Sequence, residues 1–117
     1  MKYLLLIADD EKRLNELPEA ERARRMQGWQ TFTQELVAAG KLDRGERLRP
    51  VAAATTVRRN NGHRLLSDGP FAETKEQLGG FYLIEARDLD EAVEWASKMP
   101  HLVDGGGSVE VRPIWEM

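Results

Sequence analysis

The chain has 117 residues, of which 41% are hydrophobic and 32% charged, a size and mixture that suit one soluble domain and argue against wholesale disorder. Its 17 Lys and Arg against 20 Asp and Glu give a net charge of −3, so general attraction to nucleic acid or to an anionic membrane is not expected. The absence of cysteine excludes disulfides, thiolate nucleophiles and cysteine-based zinc or iron–sulfur centres.

The opening run Tyr3 to Ala8 is continuously apolar and stops at Asp9-Asp10, which reads as a strand buried on both faces. Met1 to Ala8 is too short for a signal peptide, and no apolar run approaches the roughly 20 residues of a membrane helix, so a cytoplasmic, membrane-free protein is expected. A charged stretch ends at Pro18, a residue suited to a first helical turn, with Glu19 and Glu21 favourable to the helix dipole. Met26, Trp29, Phe32, Thr33, Leu36 and Val37 then recur at three- and four-residue spacing up to Gly40, which predicts a long amphipathic helix. Asn60-Asn61-Gly62 between Val51–Arg58 and His63–Ser67 predicts a β-hairpin. Gly79-Gly80 opens a strand over Phe81–Glu85. Asp88 and Glu91 form a capping-box pair ahead of a second helix that runs to Pro100, and Ser108 to Trp115 alternates as a last strand.

Strand, helix, hairpin, strand, helix, strand is satisfied by one antiparallel sheet with both helices on one face. The expected fold is therefore α+β, a ferredoxin-like single domain over residues 1–117 with an extra hairpin strand. The uncovered sheet face also carries apolar residues, which points to a homodimer.

The densest chemistry lies in Asp68-Gly69-Pro70-Phe71-Ala72-Glu73-Thr74-Lys75-Glu76. Asp-Gly-Pro is a turn signal, and Phe71 is expected to anchor the loop to the core. Asp68, Glu73 and Lys75 then form a candidate catalytic group, since close carboxylates raise one pKa while an ammonium stabilises the ionised partner. Arg58 with Thr56, on one strand face, and Arg112 are candidates to hold a small anionic ligand. Spacing alone favours a simpler reading of the loop, in which its charges are solvated, while for the arginines cross-strand pairing with carboxylates stands level with ligand binding. Two isolated histidines match no metal-ligand spacing, so no metal is expected, and no cofactor motif is present; His63 reads as an exposed hairpin residue and His101 as a surface-loop residue. Trp29 reads as core. Gly105-Gly106-Gly107 reads as a flexible loop, because a strand follows it where a phosphate cradle needs a helix. The locally basic stretch from Lys41 to Arg64 lacks any DNA-binding motif.

The string DGPFAETKE followed by QLGGFYLIEA closely resembles the signature of the DGPF branch of the YCII-related family, and the resemblance extends to MKYLLLIA, Ala54–Arg58, Leu89–Ala96 and Val109–Pro113. It implies a dimeric ferredoxin-like α+β barrel, with a cleft beside the signature loop serving a small-molecule enzyme or binder. A second reading is a regulatory or interaction module linked to alternative sigma factors, with the loop structural. The histidine of the first helix and the aspartate near the end of the second, on which catalysis in YCII-type proteins is thought to rest, are absent here. Met26 and Gln27 occupy the first neighbourhood and Met99 the second, so a His–Asp mechanism does not carry over.

Overall fold

The protein is described from a computed structural model over residues 1–116. In chain order it forms β1 (Lys2–Asp9), α1 (Glu11–Asn15), α2 (Glu19–Ala38), β2 (Leu42–Arg47), a 3₁₀ turn (Val51–Ala53), β3 (Thr55–Asn60), β4 (His63–Asp68), β5 (Gln77–Glu85), α3 (Leu89–Ser97), α4 (Pro100–Val103) and β6 (Ser108–Pro113). Four strands make an antiparallel sheet in the order β2-β5-β1-β6, while β3 and β4 pair only with each other. The fold is the ferredoxin-like α+β arrangement expected, with one difference in its composition. The sheet's fourth strand is β2, and the hairpin stands apart as an insertion.

The sequence Leu42-Asp43-Arg44-Gly45-Glu46-Arg47 shows no apolar alternation because it is an edge strand, where charge protects the free backbone edge. Gly45 is required there, since a Cβ would come within 2.8 Å of the Tyr82 ring.

β1 sits at the centre. Tyr3 and Leu5 are buried on its helix-facing side, whereas Leu4, Leu6 and Ala8 are only half-buried on the other, so the strand is not covered on both faces as its apolar run suggested. The helices pack together on one side, burying Phe32 and Leu36 of α2 with Ala92 and Ala96 of α3, Met99 and the sheet's Ile84. Phe32 is the hub of this layer, meeting Trp29, Tyr82 and Trp95 edge-on at 5.6–6.3 Å between ring centroids, a geometry that favours the aromatic quadrupoles. The inward face of α2 runs through Arg25, Trp29, Phe32 and Leu36; Met26 and Val37 flank it and are exposed. Met99, at the position where an aspartate was awaited, is fully buried core.

Local chemistry sets the ends. α2 closes in a Schellman motif, with Lys41 N–H donating to Leu36 O and Gly40 N–H to Val37 O, both at 3.0 Å, and Gly40 at φ +70°. The β3–β4 turn is Asn61-Gly62, both at positive φ, as a two-residue hairpin turn of this hand needs. At the start of α3, Asp88 accepts from Glu91 N–H at 2.9 Å, and Glu91 accepts in turn from Arg87 N–H at 2.8 Å and Lys41 Nζ at 3.2 Å. Among the described residues no helix is long and apolar enough to cross a membrane.

The Arg87 backbone N–H, aided by the Lys41 ammonium, lowers the Glu91 pKa below its ordinary value. A depressed carboxylate contributes stability above the unfolded pKa and loses it as pH falls through the folded one. Melting curves taken from pH 7 down to about pH 3, below the ordinary glutamate pKa of about 4.3, should therefore converge for wild type and Glu91→Gln. At pH 7 the wild type should melt higher.

Candidate functional site: a charged cleft at the end of the central strand

The two-residue period that buries Tyr3 and Leu5 carries on to Asp9, so β1 delivers a carboxylate to the helix side of the sheet, where it is only 7% exposed. A buried carboxylate needs cations and donors, and the adjoining elements supply them. Asp9 Oδ1 accepts from Asp10 N–H at 2.8 Å and Arg13 Nη2 at 3.4 Å, and Oδ2 accepts from Arg25 Nη1 at 3.1 Å. Arg25 Nε continues to Asp104 at 3.1 Å, which also receives Arg24 Nη1 at 3.3 Å. Alternating charges thus tie together β1, α1, α2 and the turn after α4.

His101 lies beside this network. Proline at the first position of α4 starts a short helix, and the imidazole at the next position is 2% exposed, not on the surface as expected. Its ring stacks on Trp29 at 5.5 Å, and Nε2–H donates to Ser108 O at 3.0 Å. That bond puts a proton on Nε2, and Nδ1 is buried with no partner among the described residues.

The last two glycines of the run are close-packed. Gly107 sits at φ +67°, and a Cβ there would stand 2.5 Å from Ala8 O, 2.5 Å from His101 Cδ2 and 3.1 Å from Asp9 Cγ. Gly106 lies against the Arg13 guanidinium, which occupies the space a Cβ would take. Only a chain without side chains can pass between the aspartate and the imidazole.

The signature loop meets the same place with its second half. Ser108 Oγ donates to Glu76 Oε1 at 2.6 Å; the Gln77 side chain accepts from Glu11 N–H at 2.9 Å and donates to Thr74 O at 2.6 Å. Lys75 and Glu76 thereby border a cleft of about 290 Å³ with Asp9, Asp10, Arg13 and Gly105 to Gly107. Of the residues singled out in the sequence, Lys75 lines this cleft. Thr56 and Arg58 hold the front of the loop, donating to Gly69 O at 2.7 Å and Phe71 O at 2.8 Å. Asp68 ends β4 opposite Thr55 and is exposed, as is Glu73. Arg112 pairs with Glu110 on the open sheet face. Phe71 is 77% exposed and so does not anchor the loop to the core as expected. The cleft's buried carboxylate, Asp9, and the Arg25 and Asp104 that extend its charge network were not among the sequence candidates.

The profile of the YCII-related domain matches residues 1–117, and the chain belongs to that family. It is 42% identical over 114 residues to an uncharacterised protein of Rhizobium meliloti (strain 1021), covering 97% of this chain and 92% of that one. The solved structure of a 5-chloro-2-hydroxyhydroquinone dehydrochlorinase from Burkholderia phenoliruptrix AC1100, in complex with 2,5-dihydroxybenzoquinone, shares the fold with a TM-score of 0.51 and 19% identity over 99% of this chain and 94% of that one.

Gly107→Ala should lower stability by about 2 kcal/mol or more, because positive-φ strain adds to contacts that backbone atoms cannot relieve. Gly105→Ala, at φ +86° with nothing within 4 Å, should cost only about 1 kcal/mol. Chemical denaturation of the two variants checks that order.

Proposed function

We propose that this YCII-related protein is a small-molecule enzyme or binder working in the cleft between Lys75-Glu76 and Gly105–Gly107. One observation carries the reading: the second half of the signature loop and the glycine run converge on the buried carboxylate at the end of β1. Lys75 and Arg13 offer positive charge to an acidic oxygen of the ligand, a carboxylate, phenolate or enolate. Glu76, held by the Ser108 hydroxyl, is placed to take a proton from such a molecule. The dehydrochlorinase of like fold binds a hydroxylated quinone, which supports oxygen-rich acidic rings as the first ligands to try.

Titration calorimetry with 2,5-dihydroxybenzoquinone provides the test. Lys75→Ala should weaken binding about tenfold, while Asp68→Asn and Glu73→Gln change it little. The reverse ranking would return the acid–base role to Asp68 and Glu73, with Arg58 and Arg112 orienting the ligand. Absence of binding by the wild type to this and to related acidic rings would overturn the small-molecule reading.

The same proposal includes a homodimer formed through the open sheet face. Leu4, Leu6, Phe81 and Leu83 make its apolar centre, and Arg44, Glu46, Glu110 and Arg112 its charged rim, which is the anatomy of an interface. Both signs of charge stand on each edge strand, so the face can complement a copy of itself. Leu6→Asp should convert a dimer to a monomer in sedimentation equilibrium.

A further inference from the structure

The β3–β4 hairpin departs from everything else in the fold. It pairs with no strand of the main sheet, and every one of its residues except Thr56 is exposed. Val57 and Leu66 stand opposite each other on one face, 60% and 59% exposed, and Leu65 is 47% exposed on the other. A lone two-stranded ribbon is marginally stable in water, so a hairpin with apolar side chains on both faces calls for something to lie against.

The size of the molecule says how much is missing. Its accessible surface is 8477 Å², whereas a folded monomer of 13.3 kDa has about 6,500 Å². The excess of roughly 2,000 Å² per chain lies in the range that obligate homodimers bury. The radius of gyration tells the same story, 16.1 Å against about 13 Å for a compact chain of this length. The extents are 48 × 44 × 18 Å, so the molecule is a flat plate with an arm.

Charge selects the occupant. From Thr55 to Asp68 the arm carries Arg58, Arg59 and Arg64 against the single acid Asp68, a formal +2. With the whole chain at −3, the remainder is −5. A cationic arm on an acidic body is complementary to another copy of the same body.

We infer that the β3–β4 arm is an intersubunit clasp, reaching across the dimer to lay Val57 and Leu66 on the body of a second copy. This rests on the homodimer reading and extends it, since the open face alone needs no arm. Each copy gives one arm and receives one, which closes the pair with two-fold symmetry.

The chain has no cysteine, so a single introduced thiol is a clean reporter. In Leu66→Cys, thiol alkylation should be at least about tenfold slower in the dimer than in the same variant made monomeric by Leu6→Asp. The thiol of Asn61→Cys, at the arm's tip, should react alike in both. Val57→Asp with Leu66→Asp should weaken dimerisation about 30-fold or more in sedimentation equilibrium, with the circular dichroism of the main fold retained. A monomeric wild type would overturn the dimer and the clasp together. A dimer with unaltered affinity in the double variant, and with the Leu66→Cys thiol unprotected, would overturn the clasp and leave the open-face dimer standing. Protection of the Leu66→Cys thiol only on addition of duplex DNA would also overturn it, assigning the basic arm to nucleic acid.

Discussion

The carboxylate of Asp9 is the constraint on which the rest of the site depends. A charge held at the end of a central strand, with helices packed over it, is stable only if cations and donors surround it. Arg25 meets that need from the inward face of α2, Arg13 from the short helix that follows β1, and the backbone of Asp10 completes the shell. Each of these fixes another element: Arg25 draws in Asp104 and with it the turn after α4, while Arg13 presses on Gly106. Gly107 is without a side chain because the space between Asp9, His101 and the end of β1 leaves no room for one.

This member of the YCII-related family lacks the histidine and aspartate that the resemblance led one to expect. Met99 is an apolar plug in the core where an aspartate was expected, and α2 carries no histidine. The chain's buried imidazole is instead on α4, stacked on Trp29 and bonded to the first residue of β6. Ser108 then joins this imidazole to the signature loop, receiving His101 on its carbonyl and giving its hydroxyl to Glu76.

Much of this architecture could be read from the chain because its causes are local. The aromatic spacing of α2, the Asp88 cap and the Asn61-Gly62 turn each act over a few residues, and each element forms where those signals stand. β2 is invisible in the sequence because an edge strand needs no apolar alternation, and the hairpin takes its place in the expected sheet. The inward position of Asp9 follows from the two-residue period of Leu5 and Ile7, and that of Arg25 from its four-residue spacing to Trp29. Charge masks both, since an apolar pattern skips them. Nothing near His101 announces its burial, which is imposed by Trp29 and Ser108. The signature loop is legible as a unit, yet the cleft touches its Lys75-Glu76 end, a distinction created only by the folding of α1 and the glycine run around it.

The strand order β2-β5-β1-β6 has a kinetic meaning. The central strand precedes both of its neighbours by a long stretch of sequence: Lys2 pairs with Glu85, and Tyr3 with both Ile84 and Pro113. Neither edge of β1 can be satisfied until most of the chain exists and long loops have closed. Such a topology folds slowly, since loop entropy is spent before the distant pairings return it. Until then Tyr3 to Ala8 is an unpaired, uncharged apolar segment, the kind of strand that finds other chains. Asp9-Asp10 and Lys2 bracket that run and act as its gatekeepers during synthesis.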